Sequence, residues 1–146
     1  MDEVLIYTDG GCRGNPGPGA YAAILISGAR EKEVVGSELH TTNNRMELMA
    51  AIAGLGILKR PCRAKVITDS EYLRRGITEW LPGWIEKGWR TATRKPVLNR
   101  DLWERLHALC QTHRVEWDWV RGHAGDPYNE RCDQLVNQEL DRMGAP

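Results

Sequence analysis

The stretch Val4-Leu5-Ile6-Tyr7-Thr8-Asp9-Gly10-Gly11 decides the fold, because an apolar run ends abruptly in an acid and two glycines. A run of this kind predicts a buried strand that carries Asp9 at its carboxyl end. The pattern returns sixty residues later in Ala64-Lys65-Val66-Ile67-Thr68-Asp69-Ser70, where an apolar run again ends in Thr, Asp and a small turn residue. The sequence therefore predicts two strands that each end in Thr-Asp.

The segments between these strands set their relative direction. Ala20 to Ile26 and Glu33 to Leu39 have strand patterns and short Gly- and Ser-containing links, so strands 1–3 are predicted to form an antiparallel meander. Asn44 to Leu58 has a helical pattern, and a strand reached through a helical crossover normally runs parallel to the one before it. The Asp69 strand is therefore predicted to run parallel to the Asp9 strand.

The parallel direction brings the two acids to one edge of the sheet. If the strands are neighbours, roughly 4.8 Å apart, Asp9 and Asp69 emerge side by side at the carboxyl edge. Ligands collect at this edge in sheets of this kind. Because two like charges so close require a cation or a shared proton, the edge is the predicted functional site.

Length and composition predict one globular domain. The chain has 146 residues, of which 41% are hydrophobic and 27% are charged, which suits a single domain with its own core. No apolar run approaches the ~20 residues of a membrane span, and Met1-Asp2-Glu3 leads directly into a strand instead of a signal peptide. We expect a cytoplasmic monomer with no membrane partner.

Cysteine spacing and net charge exclude some classes of site. The four cysteines are far apart in the sequence, so reduced structural thiols are favoured over a zinc site or a disulfide framework. The 20 basic and 20 acidic side chains balance, and bulk charge does not indicate a polyanionic partner. From Lys87 to Arg100, however, five residues are basic and none is acidic. Nucleic-acid binding would depend on this local segregation.

A glycine-rich segment follows the first acid. Residues 10–19 include five glycines and are predicted to form a loop that could bring backbone N–H groups close to a phosphate. The segment lacks the Lys of a Walker loop, and a strand rather than a helix follows it. A plain turn between strands is the equally open alternative.

Two further acids have structural alternatives. Asn44 is predicted to be the N-cap of the long helix, and Glu47 three residues later would complete a capping box, with Met46, Met49, Ala50, Ala53 and Ile57 on its buried face. Glu47 could instead project toward Asp9. Asp133 lies two turns into a last helix that Asp126-Pro127 opens, in a semi-buried position more typical of a surface charge or an ion pair.

The remaining segments alternate between aromatic, basic and apolar patterns. Ser70 is predicted to cap a short helix, and in the stretch that follows, from Trp80 to Pro96, aromatic and basic residues interleave, which suits either helix packing of Trp80 and Trp84 or a phosphate-contacting protrusion. Asn99 opens another helix, and Val115 to Val120 alternates as a half-buried strand. His123 lies in a loop between two glycines, where a plain surface histidine is the alternative to a catalytic one.

Several of these motifs, in this order, resemble the type I ribonuclease H family of bacteria over essentially the whole chain. The motifs are Tyr7 to Gly17, Thr42 to Glu47, Thr68-Asp69-Ser70, the Trp-rich basic region, and Trp119 to Gly125 with Asn129 to Asp133. The resemblance implies a single α/β catalytic domain over residues 1–146. Its mixed five-stranded sheet would have strands 1–3 antiparallel, strands 4 and 5 parallel to strand 1, and helices on both faces.

The resemblance implies an endonuclease that hydrolyses the RNA strand of RNA–DNA hybrids, with little sequence preference, and leaves 5′-phosphate and 3′-hydroxyl ends. Its catalytic carboxylates fall on Asp9, Glu47, Asp69 and Asp133, and its catalytic histidine falls on His123. The four acids would hold two Mg²⁺ ions, with Mn²⁺ as a possible substitute, in a two-metal displacement at phosphorus. Asp9 would touch both ions, Glu47 and Asp69 would hold one, and Asp133 the other.

Substrate contacts carried over from the resemblance fall on three segments. The 2′-hydroxyl groups would distinguish RNA from DNA, and Thr42 would help to hold a DNA phosphate. The predicted substrate-binding residues are Gly10, Cys12, Asn15, Thr42, Asn43, Asn44, Trp80, Trp84, Lys87, Arg90, Arg94 and Lys95.

Two features depart from the family pattern. Glu71 stands where relatives often carry Gln, which puts a neutral amide contact in doubt, and the sequence shows no separate N-terminal hybrid-binding domain, so strong processivity is not expected. A hybrid-binding module without catalysis would lose acids that this chain keeps. A nucleotide-binding domain would need the missing phosphate-binding Lys, and the basic region with His123 argues against a DNA-junction nuclease or transposase.

Overall fold

The computed structural model describes residues 1–121 and 126–146, which form five strands and five helices in the predicted order. The strands are β1 (Asp2–Cys12), β2 (Gly17–Ser27), β3 (Arg30–Thr41), β4 (Cys62–Thr68) and β5 (Arg114–Trp119). The helices are α1 (Asn43–Gly56), α2 (Glu71–Arg75), α3 (Leu81–Glu86), α4 (Arg100–Thr112) and α5 (Pro127–Arg142), with a π-helical turn at Gly76–Trp80 between α2 and α3.

The five strands form one mixed sheet in the order β3-β2-β1-β4-β5. β1 pairs antiparallel with β2, and β2 pairs antiparallel with β3, whereas β4 is parallel to β1 and β5 is parallel to β4. The predicted sheet is therefore confirmed. β1 lies at its centre, between an antiparallel and a parallel neighbour, as the predicted crossover through α1 requires.

Helices cover both faces of the sheet because neighbouring residues of a strand point to opposite sides. Ala23 belongs to the core cluster that also includes Leu48 of α1 and Trp103 of α4. Ala22, the preceding residue, packs with Val136 of α5 in a second cluster. The predicted helices on both faces are confirmed.

The prediction for α1 is wrong in its N-cap and in part of its buried face. Thr42 caps the helix, and its hydroxyl accepts a hydrogen bond from the Arg45 backbone N–H at 3.2 Å, so Asn44 lies inside the first turn. Met46 and Ala50 are buried as predicted, but Met49, Ala53 and Ile57 are only half-buried. The reason is that α1 packs on the sheet with one side and on α4 with another. Buried residues therefore surround more of the helix than one stripe. The additional buried residues are Leu48, Ala51, Ile52, Gly54 and Leu55.

The strands beside the glycine-rich segment are longer than predicted. β1 continues to Cys12 and β2 begins at Gly17, so the loop comprises only residues 13–16. Gly10, Gly11 and Cys12 pair with β2 in regular register. Most of the glycine-rich segment is therefore sheet, and the plain-turn alternative describes only its short centre.

The core under α4 centres on Trp103, which is fully buried. A Cβ atom at Gly76 would overlap the Trp103 indole, so the π-helical turn needs glycine where it crosses this ring. Ser70 caps α2 and Asp126 caps α5 with Pro127 in the first turn, as predicted. No helix in the described ranges is long and apolar enough to cross a membrane.

Candidate active site

Two of the predicted acids lie beyond the last pairs of the β1–β4 ladder, with Asp9 inside β1 and Asp69 directly after β4. Tyr7 pairs with Ile67 in the parallel register, and the same register continued by two positions places Asp9 opposite Asp69. Both side chains are half-buried. The sheet therefore delivers two carboxylates to one edge, which is the arrangement that the repeated Thr-Asp pattern predicts.

Glu47 joins these acids because α1 crosses the end of β1 at very short range. A Cβ atom at Gly10 would overlap the Met46 backbone carbonyl and lie 2.7 Å from the Glu47 backbone nitrogen. Only glycine permits this approach, so the residue after Asp9 fixes the height of α1 above the strand. Asp9, Glu47 and Asp69 are called the carboxylate edge below.

The Glu47 side chain accepts a short hydrogen bond from the Ser70 hydroxyl. Burial raises the pKa of this carboxyl, the Ser70 hydrogen bond lowers it, and the charge of Asp69 raises it further. The net direction of the pKa is upward, mainly because burial disfavours the charged carboxylate. Glu47 is not part of a capping box, because the cap is Thr42 and the third residue after it is Arg45.

Asp133 lies on α5, beside the same strand. The preceding residue, Cys132, is buried, and its thiol donates to the Tyr7 carbonyl oxygen at 3.4 Å. Burial, followed by the charge of Asp9, raises the pKa of the Cys132 thiol to about 12. α5 therefore passes close to Asp9. The sequence predicts a semi-buried Asp133, but its side chain is exposed.

The carboxylate edge suits a hard divalent cation that the protein holds by few ligands. In the part of the chain that the structure describes, no three His, Cys, Asp or Glu side chains form a ready-made metal cage. Mg²⁺ usually keeps several waters and binds through one or two carboxylates together with substrate phosphates. Carboxylates on adjoining elements, with Glu47 destabilised in its charged form, fit that mode of binding.

The predicted catalytic His123 lies outside the described residues. On its two sides in the sequence, β5 ends at Trp119 and α5 begins at Pro127 after the Asp126 cap. The Val120 backbone N–H donates to the Thr68 carbonyl oxygen at 3.0 Å, so the chain leaves β5 beside the end of β4, which Asp69 directly follows. The role of His123 remains a prediction.

The short glycine-rich loop contacts helices on both sides of the sheet. The Asn15 side-chain oxygen accepts a hydrogen bond from the Asn43 backbone N–H at 3.1 Å, at the start of α1. Arg13 reaches the end of α5, where its guanidinium donates to the Asp141 carboxylate at 2.6 Å and the Ala145 carbonyl oxygen at 3.0 Å. The sequence alone indicated no role for Arg13.

The predicted substrate residues near the start of α1 differ in exposure and in their local contacts. Asn43 is exposed and Asn44 is half-buried. Thr42 also caps the helix, and Cys12 donates its thiol to the Gly17 and Thr41 carbonyl oxygens at 3.2 and 3.4 Å. Burial raises the pKa of the Cys12 thiol, which favours a neutral structural group over a nucleophile.

The basic residues form an exposed loop after α3. Residues 87–98 are called the basic loop; its predicted contacts Lys87, Arg90, Arg94 and Lys95 are all exposed. Backbone hydrogen bonds within the loop shape it: the Thr91 N–H donates to the Lys95 carbonyl at 2.8 Å, the Arg94 N–H to the Thr91 carbonyl at 2.9 Å, and the Val97 N–H to the Trp89 carbonyl at 3.3 Å. Four cations at one protrusion provide a surface for nucleic-acid phosphates.

Tryptophans attach the basic loop to the body of the protein. The Trp84 ring packs on Trp103 of α4 with centroids 5.5 Å apart, and it also contacts Trp80 at 5.8 Å and Trp89 at 6.5 Å. Helix packing, the structural alternative from the sequence, therefore describes Trp84. Trp80 is half-buried beside Tyr72, with ring centroids 5.8 Å apart.

Ser70 and Arg45 are two residues to which the sequence assigned no role at the site. Ser70 caps α2 and also binds Glu47, a double role that its place directly after Asp69 could have suggested. Arg45 forms a bidentate ion pair with Asp101 of α4 at 2.7 and 3.0 Å. Glu71 points into ion pairs with Arg74 and Arg75 on its own helix.

Comparisons with known proteins agree on one family. A family model described as RNase H matches residues 1–141. A protein named ribonuclease H from Acidovorax sp. (strain JS42) is 59% identical over 145 residues, which is 98% of each chain. Another from Halorhodospira halophila is 60% identical over 142 residues, which is 97% of this chain and 95% of the relative.

Solved structures match the fold as well. LC9-RNase H1, described as a type 1 RNase H with the type 2 active-site motif, has a TM-score of 0.86 and 31% identity over 97% of this chain and 74% of its own. The N-terminal RNase H domain of rv2228c from Mycobacterium tuberculosis has a TM-score of 0.74 and 27% identity over 99% and 97%.

Proposed function

Because the chain belongs to the RNase H family, whose members are nucleases, we propose that it is an endonuclease that hydrolyses the RNA strand of RNA–DNA hybrids. The observation that carries the proposal is the meeting of Asp9, Glu47 and Asp69 at one edge of the sheet, within one domain that also presents the basic loop. Residues 1–146 would act as one catalytic domain and as a monomer.

Divalent metal ions, which this family generally uses, are proposed to bind at the carboxylate edge. Asp9, Glu47 and Asp69 would hold them, and Asp133 on the adjoining helix would contribute a further carboxylate. When bound, two Mg²⁺ ions would activate the attacking water and stabilise the leaving oxygen of an in-line displacement, and Mn²⁺ is a possible substitute. The carboxylate oxygens are the hard ligands that such ions prefer.

The protein's own contribution is to hold these oxygens in a fixed arrangement. Gly10 sets the distance between β1 and α1, and Ser70 orients the Glu47 carboxylate by a hydrogen bond. A site whose ligands are held before the substrate arrives loses little free energy to reorganisation during the reaction. The glycine-rich loop and the start of α1 would place the RNA strand over the edge through Gly10, Cys12, Asn15, Thr42, Asn43 and Asn44.

His123 is proposed to move a proton during the reaction. An imidazole with an ordinary pKa near 6.5 is suited to proton transfer close to neutral pH. Val120, three residues earlier in the sequence, binds the Thr68 carbonyl oxygen at the end of β4, and this supports a place for His123 near the carboxylate edge. The products would carry 5′-phosphate and 3′-hydroxyl ends.

The basic loop is proposed to bind the DNA strand. Lys87, Arg90, Arg94 and Lys95 would contact phosphates, and Trp80 and Trp84 would support the loop from below. Phosphate contacts fix the position of a nucleic acid without reading its bases. Little sequence preference should follow.

Incubation with labelled duplexes tests the proposed function. We expect cleavage of the RNA strand in an RNA–DNA hybrid, with Mg²⁺ required, and no cleavage of a DNA duplex or an RNA duplex of the same sequence. Binding of the hybrid without cleavage in Mg²⁺ or Mn²⁺ would indicate a binding module instead. Cleavage of the DNA duplex would place the chain with DNA nucleases of the same fold.

A further inference from the structure

A closed ring of contacts joins Glu47 to the end of the basic loop. The Ser70 hydroxyl donates to Glu47, and Ser70 and Tyr72 are two residues apart at the start of α2. The Asn99 side-chain amide donates to the Tyr72 hydroxyl at 3.0 Å. Arg45, two residues before Glu47 on α1, closes the ring by donating to the Asn99 side-chain oxygen at 3.2 Å.

Asn99 is the point at which the ring meets the basic loop. It follows residue 98 directly and has a left-handed backbone conformation, with φ at 61°. Sequence reasoning predicted that it would cap α4, but its side chain makes no capping hydrogen bond. The side chain is committed to Tyr72 and Arg45, so the exit of the basic loop is tied to both α2 and α1.

Tyr72 is the most firmly held member of the ring. Its hydroxyl accepts a second hydrogen bond, from the indole N–H of Trp103 at 3.0 Å, and Trp103 is fully buried. The Tyr72 ring also packs against Trp103, with centroids 5.5 Å apart. The hydroxyl is therefore fixed relative to the core, and Asn99 is fixed relative to the hydroxyl.

We propose that Tyr72 is a positioning residue that couples the basic loop to Glu47 during cleavage of the hybrid. The proposal rests on the proposed function. A phosphate bound by the loop would shift Asn99, and the ring would pass this shift to α1, which carries Glu47, and to α2, whose N-cap Ser70 binds the Glu47 carboxylate. Hydrogen bonds in a network of this kind support one another, so the loss of one member weakens the others.

A purely structural brace would use the same contacts, so the test must separate coupling from stability. Tyr72→Phe removes the hydroxyl and keeps the ring that packs on Trp103. The variant is measured alone and together with a basic-loop variant in which Lys87, Arg90, Arg94 and Lys95 are all Ala. Tyr21→Phe on β2, outside the ring, is the matched control. Each protein is assayed for kcat at saturating labelled hybrid, for hybrid Kd without metal, and for Tm.

The coupling predicts that Tyr72→Phe lowers kcat about three- to tenfold in the otherwise unchanged protein, the range expected when the hydrogen bond from Asn99 is lost, with Kd within about twofold. The hydrogen bond from Trp103 is lost as well, and the Tm measurement reports its effect on stability. In the basic-loop variant the same substitution should change kcat by less than about twofold, because a loop that no longer binds phosphate no longer acts on Asn99. If Tyr72 and the basic loop acted independently, Tyr72→Phe would lower kcat by the same factor in the wild-type protein and in the basic-loop variant. Equal factors, or an unchanged kcat, would overturn the proposal.

Failure of the proposed function and failure of the coupling give different results. A wild-type protein that does not cleave the hybrid would refute the proposed function itself, whereas an active wild type with an unaffected Tyr72→Phe variant refutes only the coupling. If Tyr72→Phe does not fold, Asn99→Gly replaces it, since glycine tolerates the left-handed backbone and the Tyr72–Trp103 hydrogen bond is kept. The same dependence of kcat on the basic loop is then expected, and its absence overturns the proposal.

Discussion

At the carboxylate edge the backbone is fixed by close packing, whereas in the basic loop the charges stand on exposed side chains. The edge forms where α1 contacts β1 at Gly10 and where Ser70 binds Glu47. The basic loop carries exposed cations on a frame of tryptophans. The carboxylate edge and the basic loop are therefore built differently, so mutations in the two regions should change mainly different kinetic parameters, apart from the proposed coupling through Tyr72.

The largest effect is expected from Asp9→Asn, which removes one charge from the carboxylate edge and keeps the shape of the side chain. The substitution removes the charge that would hold the metal ions, so cleavage should fall at least about a thousandfold, with hybrid binding within a few-fold. Initial rates on labelled hybrid in Mg²⁺ measure it, with Asp141→Asn at the far end of α5 as a control for loss of one carboxylate. Retention of more than about a tenth of the activity would remove Asp9 from the proposed metal site.

His123→Ala should have the next largest effect. Because the proposed metal site would remain, loss of the imidazole should lower kcat about 10²-fold, within the usual range for a general acid or base, while KM hardly changes. Rates from pH 5.5 to 9 provide the measurement. An unaltered rate and pH profile would make His123 an ordinary surface residue, and complete inactivation would make it a metal ligand.

The basic loop should affect mainly KM, whereas His123 should affect mainly kcat. Replacing Lys87, Arg90, Arg94 and Lys95 by Ala should raise KM more than it lowers kcat. It should also flatten the salt dependence of binding, by up to about 0.9 in log–log slope for each phosphate that the variant no longer neutralises. Hybrid Kd values over a series of salt concentrations check this. An unchanged slope would show that the loop does not contact the nucleic-acid backbone.

The smallest effect concerns stability at the edge. Because the pKa of Glu47 is raised mainly by burial, its ionisation favours the unfolded chain. The folded protein should therefore lose stability as the pH rises through that pKa, and it should keep this stability below the ordinary Glu value of about 4.3. In metal-free buffer, Glu47→Gln should raise Tm at pH 7–8 and lose this advantage near pH 4.

An exposed glutamate supplies the control for this prediction. Glu86→Gln at the end of α3 should leave Tm nearly unchanged at either pH, since surface substitutions of this kind usually have small effects. Thermal melts monitored by circular dichroism are sufficient. A Glu47→Gln variant that is less stable than wild type at pH 8 would contradict a charged, partly buried Glu47.

The sequence predicts the sheet well because strand direction and burial follow local patterns. Two apolar runs that end in Thr-Asp, with an antiparallel meander and one helical crossover between them, predict that β1 and β4 are parallel, and the resemblance to the family supplied the direction of β5. Capping was harder to predict. Three consecutive residues, Thr42, Asn43 and Asn44, are all good N-caps, and the choice of Thr42 depends on where β3 ends.

Contacts between distant segments could not be read from the sequence. Arg45 pairs with Asp101 across 56 positions, and Arg13 pairs with Asp141 across 128. No local pattern marks such partners, because an arginine near a glycine-rich loop or a helix start suits a phosphate equally well. The Gly10 contact with α1 is similar: the sequence shows a glycine, and only the packing shows why it must be one.

We assign the cleavage rate mainly to the carboxylate edge and hybrid binding mainly to the basic loop. This assignment is tested most directly by measuring hybrid Kd and single-turnover cleavage rate for Asp9→Asn and the basic-loop variant side by side. We predict a Kd within a few-fold of wild type and a rate at least about a thousandfold lower for Asp9→Asn. For the basic-loop variant we predict a Kd raised at least about tenfold and a rate at saturation within about tenfold of wild type. Equal losses of binding and rate in both variants would contradict this division of roles between the carboxylate edge and the basic loop.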